Sequence, residues 1–173
     1  MGLTRPTRVA PLFLASEASA SLKSSIASAD VDASRYDAIY FAGGHGTMWD
    51  LREDPGFASV VTKLYEHGGV VAAVCHGPAA LVDVRLSSGR YLVDGKEVNA
   101  FTNAEERAVG LDGVVPYLLE DALLSRGAIF VSADLWQPKV VVSERLVTGQ
   151  NPASATLVAD AVVTLLALRP VRH

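Results

Sequence analysis

Along this chain, short unbroken apolar runs alternate with segments whose apolar residues recur every three or four positions. Residues 36–42, YDAIYFA, form a largely apolar, partly β-branched run that ends in Gly43-Gly44, the pattern of a buried parallel strand entering a tight loop. Asp54-Pro55 then opens a helical segment with Phe57, Val60, Val61, Leu64 and Tyr65 on one face, and His67-Gly68-Gly69 closes it. Val70–Val74 predicts a second buried strand, followed at once by Cys75 and a short helix over 77–82. Residues 91–101, YLVDGKEVNAF, predict a β-hairpin, two strand-like runs joined by Asp94-Gly95. A loop follows, then a helix over 114–126 stopped by Gly127, a strand over 129–131 and a strand pair within 139–149. A long last helix over 151–168 carries Val158, Ala161, Val162, Leu165 and Leu166. The first 15 residues are broken by prolines and read as irregular, and 16–29 read as a short helix weakened by its serines.

Buried strands alternating with helices predict an α/β fold, a flavodoxin-like three-layer sandwich around a mostly parallel sheet. In such sheets the active site lies at the carboxyl ends of the strands. Two of those ends carry glycine-rich polar loops, Gly43-Gly44-His45-Gly46 and Cys75-His76-Gly77-Pro78, and neighbouring parallel strands would set them side by side.

Composition narrows the function. The 173 residues predict one domain, 1–173, with its core over 36–168. With 15 basic against 19 acidic residues and no basic run, nothing marks a nucleic-acid or anionic-lipid surface. One cysteine excludes an intrachain disulfide framework and multi-cysteine metal patterns. Neither a signal peptide nor an apolar stretch of the ~20 residues that span a membrane is evident, so a cytoplasmic location is expected. The GxGxxG pattern is absent and GGHG is too poor in glycine for a P-loop, so no nucleotide site is expected.

That single cysteine, Cys75, stands where a strand turns into a helix, a geometry that lifts a side chain toward a pocket and, at a helix N-terminus, favours the thiolate. The backbone N–H groups of His76 and Gly44 are placed to form an oxyanion hole. A buried structural cysteine is the competing reading, and the surrounding glycines favour the nucleophile. His76 is a candidate base, although consecutive side chains usually diverge; Glu105 and Glu106 are the available carboxylates to orient it, unless they simply belong to a solvated loop or helix start. His45 reads as a pocket wall, a backbone-bonded loop residue or a chemical group. Trp49 and Trp136 read as packing residues or pocket walls.

Taken together the motifs YDAIYFAGGHGTMWDL (36–51), AAVCHGPAAL (72–81), FTNAEE (101–106), VPYLLED (115–121) and LVTGQNPASA (146–155) resemble the ThiJ/PfpI superfamily, whose fold is similar to class I glutamine amidotransferases. GGHGTMWD and CHGPA point to the branch of glutathione-independent glyoxalases and related heat-shock chaperones. The resemblance implies Cys75 as nucleophile, His76 as its partner and Glu106 as the acid of a triad, with neither metal nor cofactor; His45, Trp49, Asn103, Glu105 and Trp136 stand beside them as pocket candidates. It also implies a homodimer. Proteins of that branch carry a strand-helix-strand unit ahead of the region matched here, with a glutamate that serves as acid/base. This chain is therefore expected to be N-terminally truncated relative to the family, with YDAIYFA as an unpaired edge.

The expected activity is conversion of methylglyoxal to lactate, or deglycation by the same nucleophile. The rivals are a holdase or redox sensor without turnover, and an inactive truncated relative. A cysteine peptidase is less favoured, and the His-x-Glu pair of glutamine amidotransfer is absent.

Overall fold

The computed structural model describes residues 24–168. Its centre is β2 (Val70–Val74), whose five residues are all buried because the strand is covered on both faces. β1 (Ala38–Phe41) pairs with it in parallel on one side and β6 (Leu146–Gly149) in parallel on the other. β5 (Val140–Ser143) folds back antiparallel on β6, giving the order β1-β2-β6-β5.

Alternation along β2 divides the interior. Val71 and Ala73 pack in one apolar layer with Val60, Val61 and Leu64 of α2 (Pro55–Glu66). Val70, Ala72 and Val74 pack in the other with Val158 and Val162 of α5 (Ala155–Ala167). Each fully buried valine contributes about 1.5–3 kcal/mol relative to exposure, so this arrangement fixes the strand's register and facing. The three-layer α/β sandwich and the mostly parallel sheet are those expected. α2 starts where Asp54-Pro55 predicts, because the Asp54 carboxylate accepts from the N–H groups of Gly56 and Phe57.

Several local expectations are corrected. The 91–101 segment does turn at Asp94-Gly95, where Gly95 takes φ +73°, but it makes no hairpin. β3 (Glu97–Val98) instead pairs in parallel with β4 (Ile129–Phe130), and Tyr91 bridges back to Arg85. Leu92 and Val93 are fully buried, so the would-be first strand serves the core rather than a ladder. The segment after Cys75 is a 3₁₀ turn, Gly77–Leu81, and not an α-helix. The helix expected from Val114 begins later, as α4 (Leu119–Ser125), since Val114 and Val115 close turns onto Leu111 and Pro116 lacks an N–H. Of the helix expected over 16–29, residues 16–23 lie outside the described residues; 24–27 are not helical and Ser28–Asp30 form a 3₁₀ turn.

The carboxyl ends of β1, β2 and β6 lie together. Two short helices there are unforeseen: α1 (Thr47–Asp50) after β1, and α3 (Asn103–Ala108) over the stretch read as a loop.

Candidate active site

Two glycines let the strand ends meet. A Cβ on Gly43 would lie 2.6 Å from the Val74 carbonyl oxygen and 2.7 Å from Cys75 Cβ, and one on Gly77 would collide with the Phe41 carbonyl. The GGHG and CHGP loops are therefore in backbone contact, and Thr47 Oγ1 ties them by donating to the carbonyls of both Gly44 (2.8 Å) and His76 (3.2 Å).

Cys75 takes φ +61°, a left-handed conformation that a cysteine rarely adopts. It is pinned from both sides, its N–H donating to the Gly149 carbonyl and its carbonyl accepting from Phe101 N–H, each at 2.8 Å. This imposed elbow answers the doubt about consecutive side chains: the bend brings His76 Nδ1 to 3.2 Å from Cys75 Sγ. The backbone N–H groups of His76 and Gly44 are both directed at the sulfur. The thiol is nonetheless buried, and that burial pushes its pKa up to about 11 against the opposing pull of the two N–H groups. The expected low-pKa thiolate at a helix N-terminus is thus corrected, since a five-residue 3₁₀ turn supplies little dipole and the sulfur is desolvated.

The carboxylates are placed by a capping box. Thr102 Oγ1 accepts from Glu105 N–H while Glu105 Oε2 accepts from Thr102 N–H, both at 3.0 Å. This starts α3 directly after Phe101 and aims Glu106 at the histidines. Glu106 Oε2 accepts from His76 Nε2 and Oε1 from His45 Nε2, each at 2.8 Å. One buried carboxylate is shared by two imidazoles, whose ring centroids are 4.1 Å apart. Phe101 lies 4.5 Å from the His76 ring and 5.8 Å from both His45 and Trp136. Burial lowers the His76 pKa against the raising influence of Glu106, and His45 lowers it further. His45, His76 and Glu106 each offer a ligand atom within 4.8 Å of the others, a spacing that a divalent cation could span; the Nε2 atoms of both histidines are hydrogen-bonded to Glu106.

The remaining candidates separate from this cluster. Both glutamates are buried, which overturns the solvated-loop alternative. Glu105 turns to an inner network, accepting also from Trp136 N–H, Gln150 Nε2 and Asn151 Nδ2 at 2.8–3.1 Å. Desolvation would raise its pKa, but these donors and Thr102 together hold it below the usual value. Trp136, at φ +65°, is half exposed and supplies a backbone donor to Glu105. Asn103 points elsewhere, its Nδ2 donating to Asp121 Oδ1, and Trp49 is exposed on α1. Phe101, Thr47, Gln150 and Asn151 escaped the sequence reading. None of these four carried a local signal, whereas Thr102-x-x-Glu105 is the sequence signature of the capping box that starts α3.

The geometry defines an α/β protein with a cysteine–histidine–glutamate cluster at the carboxyl edge of a parallel sheet. Residues 14–165 match the DJ-1/PfpI family, and the chain belongs to it. It is 39% identical over 145 residues to the "Probable glutathione-independent glyoxalase hsp3103" of Schizosaccharomyces pombe, an alignment covering 79% of this chain and 56% of that protein. Among solved structures it is similar to the Rapid Encystment Protein 24 KDa of Francisella tularensis, with 42% identity, a TM-score of 0.87, and coverage of 91% of this chain and 70% of that one. It is also similar to glyoxalase III of Candida albicans, with 31% identity, a TM-score of 0.75, and coverage of 80% and 60%. The chain spans little more than half the length of the curated relative named above.

Proposed function

We propose that this protein is a glutathione-independent glyoxalase that isomerises methylglyoxal to lactate through Cys75, His76 and Glu106. The observation that carries the reading is the continuous line from Sγ to His76 Nδ1 at 3.2 Å and from Nε2 to Glu106 at 2.8 Å, with two backbone N–H groups on the sulfur. Because Glu106 accepts from Nε2, Nδ1 is left as the acceptor facing the thiol, the tautomer a base requires. The glyoxalase names of two of the relatives support the same substrate class.

In this reading the sulfur gives its proton to His76 and bonds to the aldehyde carbon C1, whose oxygen takes the electron pair and faces the Gly44 and His76 N–H groups. Protonation of that oxygen gives a hemithioacetal. Loss of the C1 proton forms an enediol; return of a proton to C2, with loss of the C1 hydroxyl proton, leaves a thioester. Water then breaks the C–S bond, releasing lactate and restoring the thiol. The sequence is an internal redox isomerisation and needs no external oxidant.

A redox sensor is less favoured, because a buried thiol with a raised pKa is a poor target for oxidants, whereas a paired base can deprotonate it once substrate is bound. A homodimer and a cytoplasmic location complete the proposal.

The test is lactate formation from methylglyoxal by the purified chain without glutathione, beside Cys75→Ala. Turnover in the wild type and its loss in the variant are expected. A folded wild type without turnover overturns the proposal.

A further inference from the structure

The reaction proposed above asks for two bases: one for the thiol and one to move a proton between adjacent carbons. His76 is committed to the first. Its Nδ1 faces Sγ, its Nε2 faces Glu106, and its side chain is fully buried. Both glutamates are also committed, Glu106 to the two imidazoles and Glu105 to donors from Thr102, Trp136, Gln150 and Asn151.

His45 is different. Its Nε2 donates to Glu106 Oε1, so its Nδ1 is left as an acceptor, and among the described residues that nitrogen has no hydrogen-bond partner. Its side chain is 35% exposed, against 0% for His76, so it stands on the solvent side of the buried pair. It follows Gly44, whose N–H is directed at Sγ, and its ring centroid lies 4.1 Å from that of His76, the two rings tilted by 43°. The same carboxylate thus sets the tautomer of two imidazoles, one aimed at the thiol and the other unoccupied at its acceptor nitrogen.

Resting on the glyoxalase reading, we infer that His45 is a second catalytic base, which carries the proton from C1 to C2 of the Cys75-bound hemithioacetal. Nδ1 takes the C1 proton as the C1–H pair becomes the C1=C2 bond, and His76 carries the C1 hydroxyl proton, which came from the thiol, to the C2 oxygen. The imidazolium of His45 then protonates C2 as an electron pair of the C1 oxygen closes the thioester carbonyl. Both histidines are then back at their starting protonation, and water breaks the C–S bond to release lactate and the thiol. General acid–base assistance of this kind is worth about 10²–10⁴ in rate.

His45→Gln and His45→Ala are compared with wild type in three measurements: lactate formation, mass-spectrometric detection of the methylglyoxal adduct on Cys75, and rescue of His45→Ala by added imidazole. The expected result is turnover reduced at least about 10²-fold, accumulation of the adduct, and partial recovery with imidazole. His76→Gln, by contrast, should fail to form the adduct. Wild-type turnover in both His45 variants overturns the assignment while leaving the glyoxalase reading intact. Loss of adduct and turnover together in folded His45 variants, without rescue, also overturns it, since His45 would then only support the site. A wild type that makes no lactate overturns the glyoxalase reading and this assignment with it.

Discussion

Glu105 and Glu106 are neighbours on one short helix, both buried, and they do opposite things. Glu105 is surrounded by donors that do not titrate: the Thr102 hydroxyl, two backbone N–H groups and the amides of Gln150 and Asn151. That shell stabilises one charge state and joins α3 to the loops at 133–137 and 150–154. Glu106 meets two groups that do titrate, His45 and His76. A buried carboxylate held by fixed neutral dipoles is a structural joint; one shared by imidazoles can respond when a proton moves. Partners, rather than burial, separate the two roles.

Replacing each glutamate in turn is the sharpest way to break that contrast. Glu106→Gln substitutes an amide that cannot accept from both imidazoles, so at least one ring must change tautomer. Lactate formation should fall on the order of 10⁴-fold, while the urea midpoint moves little. A variant that keeps its turnover would remove Glu106 from the chemistry. Glu105→Ala should do the reverse. It strands several buried donors and should lower stability by about 3 kcal/mol or more, read as a shift in the urea midpoint, with turnover falling only as the folded fraction falls.

Acid titration separates the two clusters more gently. His76 is held below its ordinary 6.5 mainly by burial, so the unfolded chain takes up that proton first and stability declines as pH drops below 6.5. Glu105 is held below its ordinary 4.5 by its donors, so the stability it contributes is complete above 4.5 and is lost as pH falls through its depressed folded value. The thermal midpoint should therefore fall in two stages on acidification. His76→Gln should flatten the upper stage and Glu105→Gln the lower, and a single stage unaffected by either variant would contradict the assignment.

Much of the framework was legible because its signals are local. Val70–Val74 reads as a doubly buried strand from five apolar residues in a row, and Asp54-Pro55 marks the start of α2 through a cap and a proline. The glycines around His45 and Cys75 mark loops that had to meet. The pairing of β3 was not legible: a turn at Asp94-Gly95 suits a hairpin, yet Leu92 and Val93 gain more from the core, and β4, more than thirty residues on, supplies the ladder. The roles of Glu105 and Glu106 were equally hidden, since their partners come from as far away as His45 and Asn151.

The sequence by itself determined the α/β layering, the position of the thiol at a strand end and the residues available to it, because hydrophobic period, capping and glycine placement act over a few residues. Only the tertiary structure decided that Cys75 is bent and desolvated, that Glu105 is a joint, and that His45 and His76 share Glu106. Those outcomes depend on contacts between residues dozens of positions apart, whose geometry is set by the packing of the whole sheet and not by any local pattern.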